Sequence, residues 1–107
     1  MLFRPLVCAG LLLASQRIAG AQETPDADLA LKGKAIYAHD CSHCHGFNMV
    51  NPGAVSYDLR TFPTDQKERF VNSVVVGKGG VMPQWGDKLS LDEIDALWAY
   101  VLTKGQL

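Results

Sequence analysis

The sequence predicts an all-α domain: three main helices joined by long loops. Three observations lead there. Three segments repeat apolar residues at spacings of three and four, the period of an amphipathic helix. No stretch sustains the alternation of a strand. The connecting segments, 46–62 and 77–88, are rich in Gly, Pro and Asn and long for so small a chain. Loops of that length are costly unless something bulky fills the middle, and chains of this size commonly need a staple. The pattern therefore asks for a non-protein group in the core.

The chain opens on what reads as an export signal, not as part of the fold. Arg4 is the positive end, Leu6 to Ala14 an apolar run, and Ala19-Gly20-Ala21 a small-residue cleavage site. The run is far short of the roughly 20 residues that span a bilayer. Cleavage after residue 21 would leave residues 22–107 as one domain. Cys8, Arg4 and Arg17 would go with the signal, so the remaining chain would be more acidic than the net −1 of the whole. The whole chain's net charge of −1 and pI near 6.2 argue against nucleic-acid binding. No stable membrane association is expected. With 48% hydrophobic and 20% charged residues, the chain is neither disordered nor fibrous.

The helices follow in order. After a polar leader, residues 28–40 place Leu29, Gly33, Ile36 and Tyr37 on one face. Residues 64–76 start after Pro63, present Phe70, Val71, Val74 and Val75, and stop at Gly77. Residues 91–103 start at Ser90-Leu91-Asp92-Glu93, a capping box in which Ser and Glu satisfy free amides reciprocally. Leu91, Ile94, Leu97, Trp98, Val101 and Leu102 form the stripe of this last helix, and Gly105 ends it.

One pentapeptide carries chemistry. Cys41-Ser42-His43-Cys44-His45 is C-x-x-C-H, the attachment pattern of c-type haem. Two thiols at this spacing reach two vinyl groups as thioethers, and the adjacent His45 turns its ring to the iron. A Cys41–Cys44 disulfide of a redox module would need a βαβ pattern, which is missing. A zinc site would need a second ligand pair, also missing. The sixth iron ligand separates electron transfer from ligand chemistry. Met49 follows His45 too closely to cross the haem. Met82 sits in Gly79-Gly80-Val81-Met82-Pro83, where glycines allow close backbone approach, and is the expected ligand. His39 and His43 read as surface imidazoles. Arg60 and Trp85 are candidates for holding the haem carboxylates by charge and indole N–H.

The order of helix, C-x-x-C-H, loops, helix, Met-Pro loop and helix resembles a class I cytochrome c. The resemblance implies a small fold of three main helices and loops wrapped around one covalent haem c. Gly33 and Tyr37, with Leu97 and Tyr100, match that family's crossing of first and last helices. Closer likeness lies in Asn48-Met49-Val50-Asn51-Pro52-Gly53, Asp58-Leu59-Arg60, Gly77-Lys78-Gly79, Met82-Pro83-x-Trp85 and Leu97-Trp98-Ala99-Tyr100-Val101. These are similar to the cytochrome c-550 type that accompanies pyrroloquinoline-quinone (PQQ) alcohol dehydrogenases. The resemblance implies a periplasmic monomer and electron carrier, not an enzyme. It would take electrons from such a dehydrogenase and pass them to a terminal oxidase or another cytochrome. Service to a different periplasmic dehydrogenase is the alternative, and a peroxidase-like or ligand-binding haem protein a further one. Asn51-Pro52-Gly53 stands where many members carry Gly-Pro-x-Leu. The Pro52 carbonyl is therefore expected to accept the proton on the non-ligating nitrogen of His45.

Overall fold

Four helices make the frame of the computed structural model, which describes residues 26–53 and 56–107. The expected export signal lies outside the described residues. Helix α1 spans Ala27–Asp40, α2 Ser42–His45, α3 Lys67–Val76 and α4 Leu91–Leu102. Single 3-10 turns at Phe47–Met49, Leu59–Thr61 and Trp85–Asp87 interrupt the loops. Among the described residues there is no strand, and an isolated antiparallel bridge joins Lys78 to Met82.

Local chemistry sets each helix boundary. The Asp26 carboxylate caps α1, accepting from the amides of Asp28 (3.0 Å) and Leu29 (3.2 Å). The Ser90–Glu93 capping box forms as the sequence predicts: Glu93 N–H donates to Ser90 Oγ (3.1 Å), and Ser90 N–H to Glu93 Oε1 (3.0 Å). Helix α3 begins three residues later than expected. Gln66 N–H donates back to the Pro63 carbonyl, closing a turn, and Gln66 stands outside helical geometry at φ −120° and ψ 49°. Past α4, Lys104 and Gly105 both take positive φ and turn the chain back.

The core is a seam between α1 and α4, the first and last helices. At Gly33 they touch backbone to backbone: a Cβ there would fall 1.8 Å from the Ala96 carbonyl oxygen. Four residues on, Tyr37 and Tyr100 meet with ring centroids 5.0 Å apart. Ile94 and Leu97 are about 1% exposed and Met49 is fully buried. Each such burial stabilises by about 1.5–3 kcal/mol. On the other side of α4, Trp98 meets Phe62 edge-on (6.0 Å) and Phe70 at a tilt (5.2 Å). The C-terminal turn is tied to the frame twice. Lys34 Nζ donates to the Leu107 carbonyl (2.9 Å), and a Cβ at Gly105 would meet the Asn48 carbonyl oxygen at 2.0 Å.

Candidate functional site

Helix α1 delivers the C-x-x-C-H segment. It ends at Cys41, whose amide still bonds the Tyr37 carbonyl (2.8 Å), and the one-turn helix α2 follows directly. His45 N–H donates to the Cys41 carbonyl (3.0 Å). Cys41 and Cys44, three apart across this turn, share a side, as helical geometry requires. They carry free thiols. Gly46 then leaves the helix at φ 88°, and a Cβ there would sit 1.7 Å from the Val50 carbonyl oxygen. The Tyr37 hydroxyl donates to the Gly46 carbonyl (2.6 Å), so the α1–α4 seam fixes the peptide that follows His45. Burial, with Cys41 and Tyr100 nearby, holds this phenol above its usual range.

His45 has a defined ring orientation. Its Nδ1 lies 2.9 Å from the Tyr57 carbonyl oxygen. A carbonyl only accepts, so Nδ1 carries the proton and Nε2 keeps its lone pair for a metal. This corrects the expectation for Pro52. Pro52 is exposed, and its Cδ faces Gly46. Asn51 Oδ1 accepts from Gly53 N–H (2.9 Å), and Asn51 Nδ2 donates to the Ser56 carbonyl (2.6 Å). Ser56 Oγ in turn donates to the Cys44 carbonyl (2.5 Å). This strap brings Tyr57 to the ring.

Cys41, Cys44, His45, Met82 and Trp85 line one cavity of about 830 Å³, within the range of cofactor sites. Leu59, Phe62, Phe70, Val74, Leu97 and Val101 supply apolar wall. Burial foremost, with Asp40 and Cys44 adding, pushes the Cys41 thiol up to about 12. Met82 arrives from the loop after α3. Its N–H and carbonyl both pair with Lys78, which shapes the loop. Met49 is core and not cavity wall. His39 and His43 are exposed at the rim, and His39 pairs with Asp40 at 2.6 Å.

Arg60 is not on this cavity. Its guanidinium grips Asp58 on its own turn, Nε to Oδ1 at 3.0 Å and Nη2 to Oδ2 at 2.8 Å. Asp58 also caps the Leu59–Thr61 turn, so the two residues satisfy each other locally, and the expected carboxylate-holding role for Arg60 is not supported by its placement. The Arg60 partner holds the Asp58 carboxyl below its ordinary range. Arg69 does reach the cavity, and sequence reasoning missed it because a charged residue early in an amphipathic helix reads as solvent-facing. Asn51, Ser56 and Tyr57 were missed as well. The Asn-Pro-Gly turn signal was visible, but not which carbonyl it would deliver.

A family model described as cytochrome c oxidase, cbb3-type, subunit III matches residues 28–101. The chain belongs to the cytochrome c family. Subunit FixP of the cbb3-type cytochrome c oxidase of Azorhizobium caulinodans is 40% identical over 88 residues, 75% of this chain and 29% of FixP. Cytochrome c550 of Pseudomonas aeruginosa is 28% identical across 90% of this chain and 88% of its own length. Quinohemoprotein alcohol dehydrogenase ADH IIB of Pseudomonas putida is 32% identical over 74 residues, 67% of this chain and 11% of that protein. The chain thus spans under a third of FixP and about a ninth of ADH IIB. The helical architecture is that of a small class I cytochrome c, as the sequence predicted. This cytochrome c is an electron-transfer domain of a family that binds haem c. No helix among the described residues is long and apolar enough to cross a membrane.

Proposed function

We propose that this cytochrome c is a periplasmic one-electron carrier holding a single haem c, reduced by a PQQ alcohol dehydrogenase and oxidised by a terminal oxidase or another cytochrome. The observation that carries the reading is the convergence of Cys41, Cys44, His45 and Met82 on one cavity. The donor set fits the group. Two free thiols stand where thioethers would form, and the Met82 thioether and the His45 imidazole would be available to hold the iron. The sequence contains one C-x-x-C-H, which supports one haem. Haem c would supply an Fe(III)/Fe(II) couple.

The protein's own part is positioning. The Tyr57 carbonyl keeps His45 Nδ1 protonated and its ring oriented, leaving Nε2 as the ligand atom. The Lys78–Met82 pairing holds the Met82 backbone in a fixed turn. The apolar part of the wall, from Leu59, Phe62, Phe70, Val74, Leu97 and Val101, would limit rearrangement when charge changes. The likeness to ADH IIB supports a quinoprotein donor, and the likeness over nearly all of cytochrome c550 supports a free-standing small carrier.

Carbon monoxide tests the ligand set. The reduced wild-type holoprotein should resist it, and Met82→Ala should bind it rapidly. Equally rapid binding by the wild type would refute Met82 ligation. Stopped-flow mixing with a reduced PQQ alcohol dehydrogenase tests the donor, and no haem reduction on the timescale of enzyme turnover would refute that assignment.

A further inference from the structure

The chain has three histidines. The proposed iron takes His45. The other two, His39 and His43, stand four residues apart at the mouth of the cavity, and both are exposed. Cys41 alone separates the two helices that carry them. It keeps right-handed helical angles (φ −113°, ψ −28°), and Ser42 Oγ donates back one turn to the Ala38 carbonyl (2.6 Å). Residues four apart along a helical path are neighbours, with Cβ atoms about 5–6 Å apart.

His39 is also oriented. Its Nδ1 lies 2.6 Å from Asp40 Oδ1. An ionised carboxylate only accepts, so Nδ1 carries a proton and the neutral ring keeps its lone pair on Nε2. Carboxylate, imidazole, metal is the order in which metal-binding histidines are commonly held. The His39 side chain is 87% exposed, so its ring is open to solvent, while Asp40, at 17%, is largely covered. Among the described residues Asp40 is the one acid lining the cavity, and its charge lies directly behind the imidazole.

We propose that His39 and His43 chelate a late divalent transition-metal ion, Cu(II) foremost, at the mouth of the cavity. Among the described residues no group of three or more His, Cys, Asp or Glu side chains is arranged to hold a metal. The site is therefore a two-imidazole chelate with water in its remaining positions. A structural zinc site would need four protein ligands, whereas Cu(II) accepts a tetragonal set of nitrogen and oxygen donors and heads the affinity order of the divalent series. The site stands outside the proposed haem and uses none of its ligands.

The test uses oxidised, haem-loaded protein, in which the two thiols are consumed and iron holds His45, so neither competes for copper. Calorimetric titration with Cu(II) should show a site of one ion per chain. Removing the outer partner of a metal-bound histidine costs about 10–100-fold in affinity, so Asp40→Ala should weaken binding by about that factor. His39→Gln and His43→Gln should each weaken it at least as much. The paramagnetic resonance of bound Cu(II) should show two imidazole nitrogens in the wild type and one in either single variant. Both histidines are exposed, so their replacement leaves the core intact. A double variant, His39→Gln with His43→Gln, that binds Cu(II) as tightly as the wild type overturns the inference. So does a wild-type resonance with fewer than two imidazole nitrogens.

Discussion

Replacing Gly33 by alanine should part the two helices that frame the domain. The new Cβ would lie 1.8 Å from the Ala96 carbonyl oxygen, 2.5 Å from its carbon and 3.0 Å from the Leu97 nitrogen. All three are backbone atoms of α4, so no rotamer change relieves the clash. Reaching ordinary contact at 3.4 Å requires a retreat of about 1.6 Å. A gap of only about 0.5–1 Å already forfeits a quarter to a half of a dispersion contact. The loss would extend along the seam to Tyr37 and Tyr100, now 5.0 Å apart. Overpacking costs about 1–3 kcal/mol where side chains can adjust, and the rigid target here puts the cost at about 3 kcal/mol or above. Alanine regains about 1 kcal/mol of helix propensity over glycine. The net loss is about 2 kcal/mol or more, which lowers the melting temperature of a domain this size by roughly 8–16 °C. Thermal unfolding of the holoprotein, followed by circular dichroism, measures it. Gly53→Ala is the comparison: φ is 85°, but the added Cβ meets nothing within 4 Å, so only the left-handed strain of about 1–2 kcal/mol applies. A Gly33→Ala protein that melts within a few degrees of wild type, or no lower than Gly53→Ala, would refute the close-approach argument.

Two further outcomes follow from the hydrogen-bond network. Asn51→Ala removes the strap from Ser56 and loosens the Tyr57 carbonyl on His45. In the proposed haem site a less basic His45 imidazole would stabilise oxidised iron less, so the reduction potential should rise, and an unchanged potential would show that the strap does not tune His45. Burial raises both Tyr37 and Tyr100 above the ordinary phenol range near 10.0. Below that range both states hold these protons. Above it the unfolded chain releases them while the folded chain keeps them, so stability should fall as pH climbs past about 10. Denaturation midpoints taken across this range check the sign, and a midpoint that rises with pH would contradict it.

What could be read in advance divides along physical lines. Helices α1 and α4 were legible nearly to their ends because caps and apolar faces are local properties. Ala30 escaped notice on the α1 face because a small side chain reads as neutral until another helix covers it. The start of α3 was misplaced because Pro63 can open either a helix or a turn, and Gln66 closes the turn. At the site, the covalent motif and Met82 were visible as residue types. The acceptor for His45 was not, because a backbone carbonyl leaves no mark in a sequence. Arg60 and Arg69 look alike in one dimension. Asp58, two residues before Arg60, engages that side chain, while Arg69 has Gln66 one turn back and Phe62 beneath it.

The seam between α1 and α4 also bears on how such a domain travels. The first and last helices hold each other, and the Leu107 carbonyl is bonded to Lys34. The seam supplies wall to the cavity from both helices, Tyr37 from α1 and Leu97 and Val101 from α4, so the unit carries its site with it. Splicing it into a larger polypeptide need not disturb the cavity. The matched stretch is 29% of FixP, 11% of ADH IIB and 88% of cytochrome c550, so sequence similar to this chain is found both within much longer polypeptides and across nearly the whole of a short one.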